Sequence, residues 1–165
     1  MSKRIFSDAE ARPDLFLWNK SIDRSSLKEW LAENRWQIPD DLFLFWRETG
    51  GGDIYETETI FGPVGDADLG EDVLEINEEL REEGMPEDFL VFHQGTGGLS
   101  AVRLSDGQYL QLSEDNFSES GTYSSLEEWY DRVIRDEYAD RYGLAPLFND
   151  NEEEFEITIA EAQTV

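Results

Sequence analysis

The residues able to do chemistry in this chain are few and poorly matched to catalysis. His93 is the single histidine, and there is no cysteine. A lone histidine can serve as a general base. It cannot build a zinc site without thiolate or further imidazole ligands, and sites made of Asp and Glu alone favour harder cations. The economical reading of His93 is a strand histidine with a local hydrogen-bond partner. No serine occupies a G-x-S-x-G nucleophile elbow, so a hydrolase triad has no support. Gly95-Thr96-Gly97-Gly98 has the look of a phosphate cradle. It lacks the lysine of G-x-x-x-x-G-K-[ST], falls between two strand-like runs and precedes no helix start, so it reads as a mobile connection between strands.

Metal chemistry fares no better. Asp66, Asp68 and Gly70 imitate the opening of an EF-hand loop. The glycine is one position early, Glu71 fills its slot, and Asn77 stands where the bidentate Glu belongs, so a dedicated calcium site is not expected. Carboxylate pairs occur by sheer number, and any glycosidase-like pair chosen from them would be arbitrary. The sequence therefore assigns no catalytic residue, no metal and no cofactor.

Charge is the dominant signal. The chain carries 39 acidic and 13 basic residues, a net charge of −26. Residues 1–36 hold seven basic and six acidic side chains, which leaves 33 acidic and six basic residues downstream. Such a field repels nucleic acid, whose binding depends on neutralising phosphates, and repels anionic membranes. It attracts cationic proteins and speeds their encounter; solubility alone is the bland alternative. The acid concentrates on one predicted helix, Leu69 to Glu83, whose outer side carries Glu71, Asp72, Glu75, Glu78, Glu79, Glu82 and Glu83 with Arg81 as its only base. Like charges at helical spacing destabilise the helix, and a cationic partner relieves that cost. This face, with the rim residues Asp66 and Asp68, is the candidate binding surface.

Those residues need a scaffold, and 165 residues suffice for one domain with a sizeable core. Aromatic residues make up 13% and hydrophobic residues 39%, too much apolar material for a disordered chain. No apolar run reaches the length of a membrane span, and M-S-K-R-I-F-S-D-A-E lacks the apolar core of a secretory signal. A cytoplasmic protein is the expectation.

Residues 1–24 carry no clear periodicity. Ser26-x-x-Glu29 reads as a capping box, with Leu27, Trp30 and Leu31 as the buried stripe of a helix ending near Asn34. Pro39 suits the first turn of a second helix, where Asp40 and Asp41 complement the positive helix end and Leu42, Phe45 and Trp46 form an apolar stripe. Gly50-Gly51-Gly52 stops it. Ile54–Phe61 reads as one strand closed by Gly62-Pro63, and a polar loop follows. In the Leu69–Glu83 helix, Leu69, Val73, Ile76 and Leu80 share a face, and Gly84 ends it. Phe89–His93, Leu99–Leu104 and Tyr109–Leu112 form a three-stranded meander, with Asp106-Gly107 as a hairpin turn. The run S-E-D-N-F-S-E-S-G-T reads as a polar loop. Ser124 or Ser125 then caps a helix buried along Leu126, Trp129, Tyr130, Val133, Ile134 and Tyr138 and ended by Gly143. The late F-E-I-T-I run is an edge strand or a tail.

The segment I-P-D-D-L-F-L-F-W-R-E-T-G-G-G, with the following I-Y-E-T-E-T-I-F-G-P, resembles the SUKH superfamily. That group includes a fungal regulator of cell-wall synthesis and many bacterial immunity proteins. The runs F-L-V-F-H-Q-G-T-G-G-L-S-A-V-R-L, L-Q-L-S-E-D-N-F and S-S-L-E-E-W-Y are similar to the family's meander and closing helix. Thr49 stands where the family often has Asn. The resemblance spans about residues 25–143, with residues 1–24 as an N-terminal extension and residues 144–165 as an acidic segment or edge strand. It implies a single α+β domain in which an antiparallel meander packs with N-terminal, middle and C-terminal helices.

The resemblance also implies a non-enzymatic role, in bacteria often the blocking of a cognate toxin that is frequently a nuclease. Nucleases are commonly basic because they grip phosphate, so an acidic inhibitor is physically sensible. The leading expectation is an immunity protein whose partner is a cationic toxin, met through Asp66, Asp68, Glu71, Asp72, Glu75, Glu78, Glu79 and Glu82. An intracellular regulatory or scaffold protein with a host partner is the alternative. An enzyme built on His93 is the weakest reading.

Overall fold

The computed structural model describes residues 3–63 and 72–145. Within them the strands β1 (Phe16–Trp18), β2 (Gly52–Ile54), β3 (Glu58–Ile60), β4 (Phe89–Gly95), β5 (Gly98–Arg103), β6 (Tyr109–Leu112) and β7 (Glu119–Tyr123) lie side by side in chain order. Every neighbouring pair is antiparallel, so the sheet is one continuous meander. Phe89 to His93 and Leu99 to Val102 are buried without a break. Successive strand residues face opposite sides, so both faces of the sheet are covered there, which is why this stretch shows no clean alternation. The fold is α+β.

The helices are α1 (Lys3–Ala11), α2 (Arg24–Asn34), α3 (Asp40–Thr49), α4 (Val73–Glu82), α5 (Leu126–Trp129) and α6 (Asp136–Tyr142). A π-helical stretch, Tyr130–Arg135, joins α5 to α6 without a break. The expected apolar stripe holds through it: Leu126, Trp129, Tyr130, Ile134 and Tyr138 are buried. Ser125 caps α5 by accepting from the Glu128 amide at 3.1 Å.

Residues 1–24, opaque as sequence, supply α1 and β1 among the described positions. Ile5, Leu15 and Phe16 enter the core, and β1 extends the sheet beyond β2. The capping box moves. Asp23, not Ser26, caps α2 by accepting from the Ser26 amide at 3.2 Å, because an ionised carboxylate is a stronger acceptor than a hydroxyl. Pro39 is likewise the residue before the first turn of α3 rather than within it. Thr49 accepts from the Gly51 amide at 3.1 Å and so bridges the helix end to the glycines.

The single strand expected over Ile54–Phe61 is two. Tyr55 and Glu56 adopt positive φ, 50° and 68°, and turn β2 back onto β3. No glycine or asparagine marks this turn. The Tyr55 ring instead fixes it, fully buried, stacked on Tyr138 and hydrogen-bonded to the Tyr130 hydroxyl at 2.5 Å. The polar run after Leu112 is also more than a loop, since Glu119–Tyr123 pairs with β6 as an edge strand. An edge strand facing solvent needs main-chain partners rather than apolar side chains, so its composition hides it.

The glycine joint is backbone packed on backbone. A Cβ at Gly62 would lie 2.0 Å from the Gly50 carbonyl oxygen, so this crossing admits glycine alone. Trp46 seals it by donating from Nε1 to the Phe61 carbonyl at 2.9 Å.

Candidate protein-binding surface

The acid-rich helix begins later than its sequence pattern suggests. Asp72 has extended backbone angles and caps α4, accepting from the Leu74 and Glu75 amides at 2.8 and 3.2 Å. Its carboxylate is committed to the helix start, where the helix dipole also favours it. Residues 69–71 of the expected helix lie outside the described residues, as do Asp66, Asp68 and Glu71 of the expected surface.

Two polar side chains hold α4 against the sheet. β3 pairs with β4 only through Thr59–Gln94 and Ile60–His93, which leaves the earlier part of that edge of β4 without a strand. Asn77 occupies it. Its amide donates to the Val91 carbonyl at 2.8 Å and its oxygen accepts from the Val91 N–H at 2.8 Å, the two bonds a neighbouring strand would make. The same amide donates to the Val73 carbonyl at 2.7 Å. One turn on, Arg81 donates from Nη2 to the Phe89 carbonyl at 3.1 Å, and its guanidinium lies over the Trp36 ring at 5.9 Å. Asn77 is fully buried, and Val73 packs beside it.

That anchoring fixes the outer face. Glu75, Glu78, Glu79 and Glu82 recur at the spacing of one helical stripe; Glu75 is half-buried and the other three are exposed. None of them forms an ion pair among the described residues, and Arg81 is turned inward to main-chain carbonyls. The structure therefore brings together four of the expected eight carboxylates and sets Asp72 apart as a cap. Asn77, which positions all four, looks in sequence like a defective calcium ligand. Its signal is a polar residue on the apolar face of the helix.

His93 is buried and shares its ring with two partners. Nδ1 meets Ser100 Oγ at 2.8 Å and Nε2 meets Glu58 Oε1 at 2.7 Å. The trio has the members of a serine–histidine–carboxylate relay but none of its access. Ser100 is fully buried, and its hydroxyl accepts from Trp129 Nε1 at 2.8 Å. Glu58 gathers further donors on Oε2, from the Tyr138 hydroxyl at 2.6 Å and the Thr96 amide at 3.2 Å. Burial by itself raises the Glu58 carboxyl, but the hydrogen bonds from His93 and Tyr138 outweigh it and hold it at about 2. The group is a polar brace inside the sheet.

The same brace explains the glycine-rich turn. Thr96-Gly97 is the two-residue turn between β4 and β5, tied to Glu58 through the Thr96 amide. A Cβ at Gly95 would lie 1.8 Å from Glu58 Oε1. The turn faces a carboxylate, the opposite of a phosphate cradle. No cluster of three or more potential metal ligands occurs among the described residues, and no described helix is long and apolar enough to cross a membrane.

No curated protein matches the chain. The model of the SMI1 / KNR4 family (SUKH-1) matches residues 22–132, from the turn before α2 into the π-helical stretch. That match covers about two thirds of the sequence, and the chain belongs to the SMI1 / KNR4 family (SUKH-1).

Proposed function

We propose that this protein is a non-enzymatic binding module, an immunity protein that captures and blocks a cationic toxin in the cytoplasm through the outer face of α4. One observation carries the reading: Glu75, Glu78, Glu79 and Glu82 form a stripe without counter-ions among the described residues, on a helix locked to the sheet edge. An acidic stripe on an anchored helix offers a preformed backbone that presents carboxylates to Lys and Arg side chains, with little backbone freedom lost on docking. The chain's net charge of −26 extends the attraction beyond contact and raises the encounter rate. Family membership supports a protein-binding role, and the proposed surface is this chain's own.

The test is to identify a basic toxin by pull-down from the native host, replace Glu75, Glu78, Glu79 and Glu82 together with Lys, and measure association with it. The association rate at low salt should fall about tenfold or more and depend less steeply on ionic strength. Co-expression of the variant should no longer protect cells from that toxin. An unchanged association rate, in a variant whose circular dichroism matches the parent, sinks the assignment of this face.

A further inference from the structure

A second feature lies where α1 meets the end of α6. A cavity of about 360 Å³ is lined there by Arg4, Ser7, Ala11, Arg12, Arg135 and Leu144, with Asp8 at its wall. Three of the chain's 13 basic residues converge on it.

Most of their donors are engaged. Arg4 Nε meets Asp131 at 3.0 Å, Arg12 meets Asp14 at 3.1 and 3.2 Å, and Arg135 grips both oxygens of Asp8 at 2.7 and 3.1 Å. One donor is not. Arg135 Nη1 is buried and has no acceptor among the described residues. Arg135 as a whole is 3% exposed, so this is a buried cation with an open hydrogen-bonding position. Buried polar atoms are nearly always satisfied, and an orphan on a guanidinium marks a missing acceptor. Arg135 is also the last residue of the π-helical stretch, a rare geometry that recurs at functional sites.

We propose that this cavity binds a carboxylate, seated against Arg135 Nη1 with Arg4 and Arg12 at its rim. Each arginine already faces one aspartate, so the surplus is in donors rather than in net charge. That balance suits a monoanionic, planar acceptor better than a phosphate dianion. The carboxylate has two possible sources: a free small acid, or the acidic run of residues 150–156 that follows in this chain's own sequence.

The experiment titrates the full chain with acetate, succinate and inorganic phosphate, each against sodium chloride at matched ionic strength. Nitrogen-edited NMR reads the Arg135 Nε–H resonance and the amides of Ser7, Ala11 and Leu144. Saturable shifts with acetate and succinate, and only a linear drift with chloride, are expected. Ser7 is exposed on α1, so Ser7→Glu should leave the fold intact while tethering a competing carboxylate; it should weaken acetate binding about tenfold or more. If the chain's own acidic run fills the cavity, the natural chain will not respond and the variant E152Q/E153Q/E154Q will bind acetate. If a free acid is the ligand, both chains bind alike. Absence of saturable shifts in both chains, or phosphate and chloride acting as strongly as acetate, overturns the proposal.

Discussion

Asn77 is where the scaffold and the proposed binding face can be tested together. Replacing it with Leu keeps the γ-branched shape and raises helix propensity, but removes every bond to β4. The Val91 N–H and C=O then have no partner on that edge, since β3 ends before reaching them. A buried backbone group left unmade costs about 1–3 kcal/mol, so Asn77→Leu should destabilise by roughly 2–5 kcal/mol after the gain from a more apolar side chain. Against a typical domain stability of about 5–15 kcal/mol that is a large fraction. Urea unfolding at pH 7 measures it.

Asn77→Asp refines the argument. A carboxylate still accepts from the Val91 N–H but opposes the Val91 and Val73 carbonyl oxygens, to which the amide now donates. The protonated acid can donate again, so its folded-state pKa must lie above the ordinary aspartate value. The relative stability of the Asp variant is then greatest below its unfolded pKa, about 4. It is lost as pH rises through the folded value, whereas the Leu variant shows no such dependence. Hydrogen exchange at Val91 should accelerate in both. A loss below about 1 kcal/mol for Asn77→Leu, with Val91 still protected, would refute the idea that one side chain substitutes for a strand here.

Two further outcomes follow from the interior. The Glu58 carboxyl is held near 2 against an ordinary value of 4.5, so its contribution is complete above about pH 5 and lost as pH falls through 2. A shift of that size corresponds to about 3 kcal/mol, so Glu58→Gln should be less stable than the parent by about that much at pH 7, the gap closing towards pH 2; a pH-independent gap would contradict it. Gly62→Ala forces a methyl group to within 2.0 Å of the Gly50 carbonyl, and several kcal/mol of destabilisation should appear as loss of soluble, cooperatively melting protein. A variant melting within a few degrees of the parent would mean that the glycine joint can part without penalty.

What sequence made legible depended on how each element is held. The stripes of α2, α3 and the closing helix carry strong 3.6-residue periodicity because one face is buried; capping chemistry places the ends of α3 and the closing helix within a residue or two, while the α2 cap lies three residues before the expected Ser26. β4 to β6 were equally visible, bounded by glycine turns. The elements that escaped are those held from a distance. β7 relies on main-chain pairing at an edge, and the β2–β3 turn is imposed by a tyrosine packed against residues 75 and 83 positions away. Local rules have no access to such causes. The acidic stripe was readable from composition and spacing. Its anchor was not, because Asn77 has meaning only beside Val91, 14 residues on.

The contact between Asp8 and Arg135 bears on the order in which the molecule assembles. Strands that neighbour one another in sequence also neighbour one another in space, and β4 to β7 are joined by short connections through which that part of the sheet can zip. The Asp8–Arg135 pair spans 127 positions and joins the first described helix to the end of the π-helical stretch. Closing a loop of that length costs about 2 kcal/mol more entropy than closing a ten-residue hairpin. The meander therefore has a kinetic head start, and the ends of the chain clasp around a sheet already formed. Arg135 is therefore expected to reach its burial late, so the arginine cavity should form after the sheet.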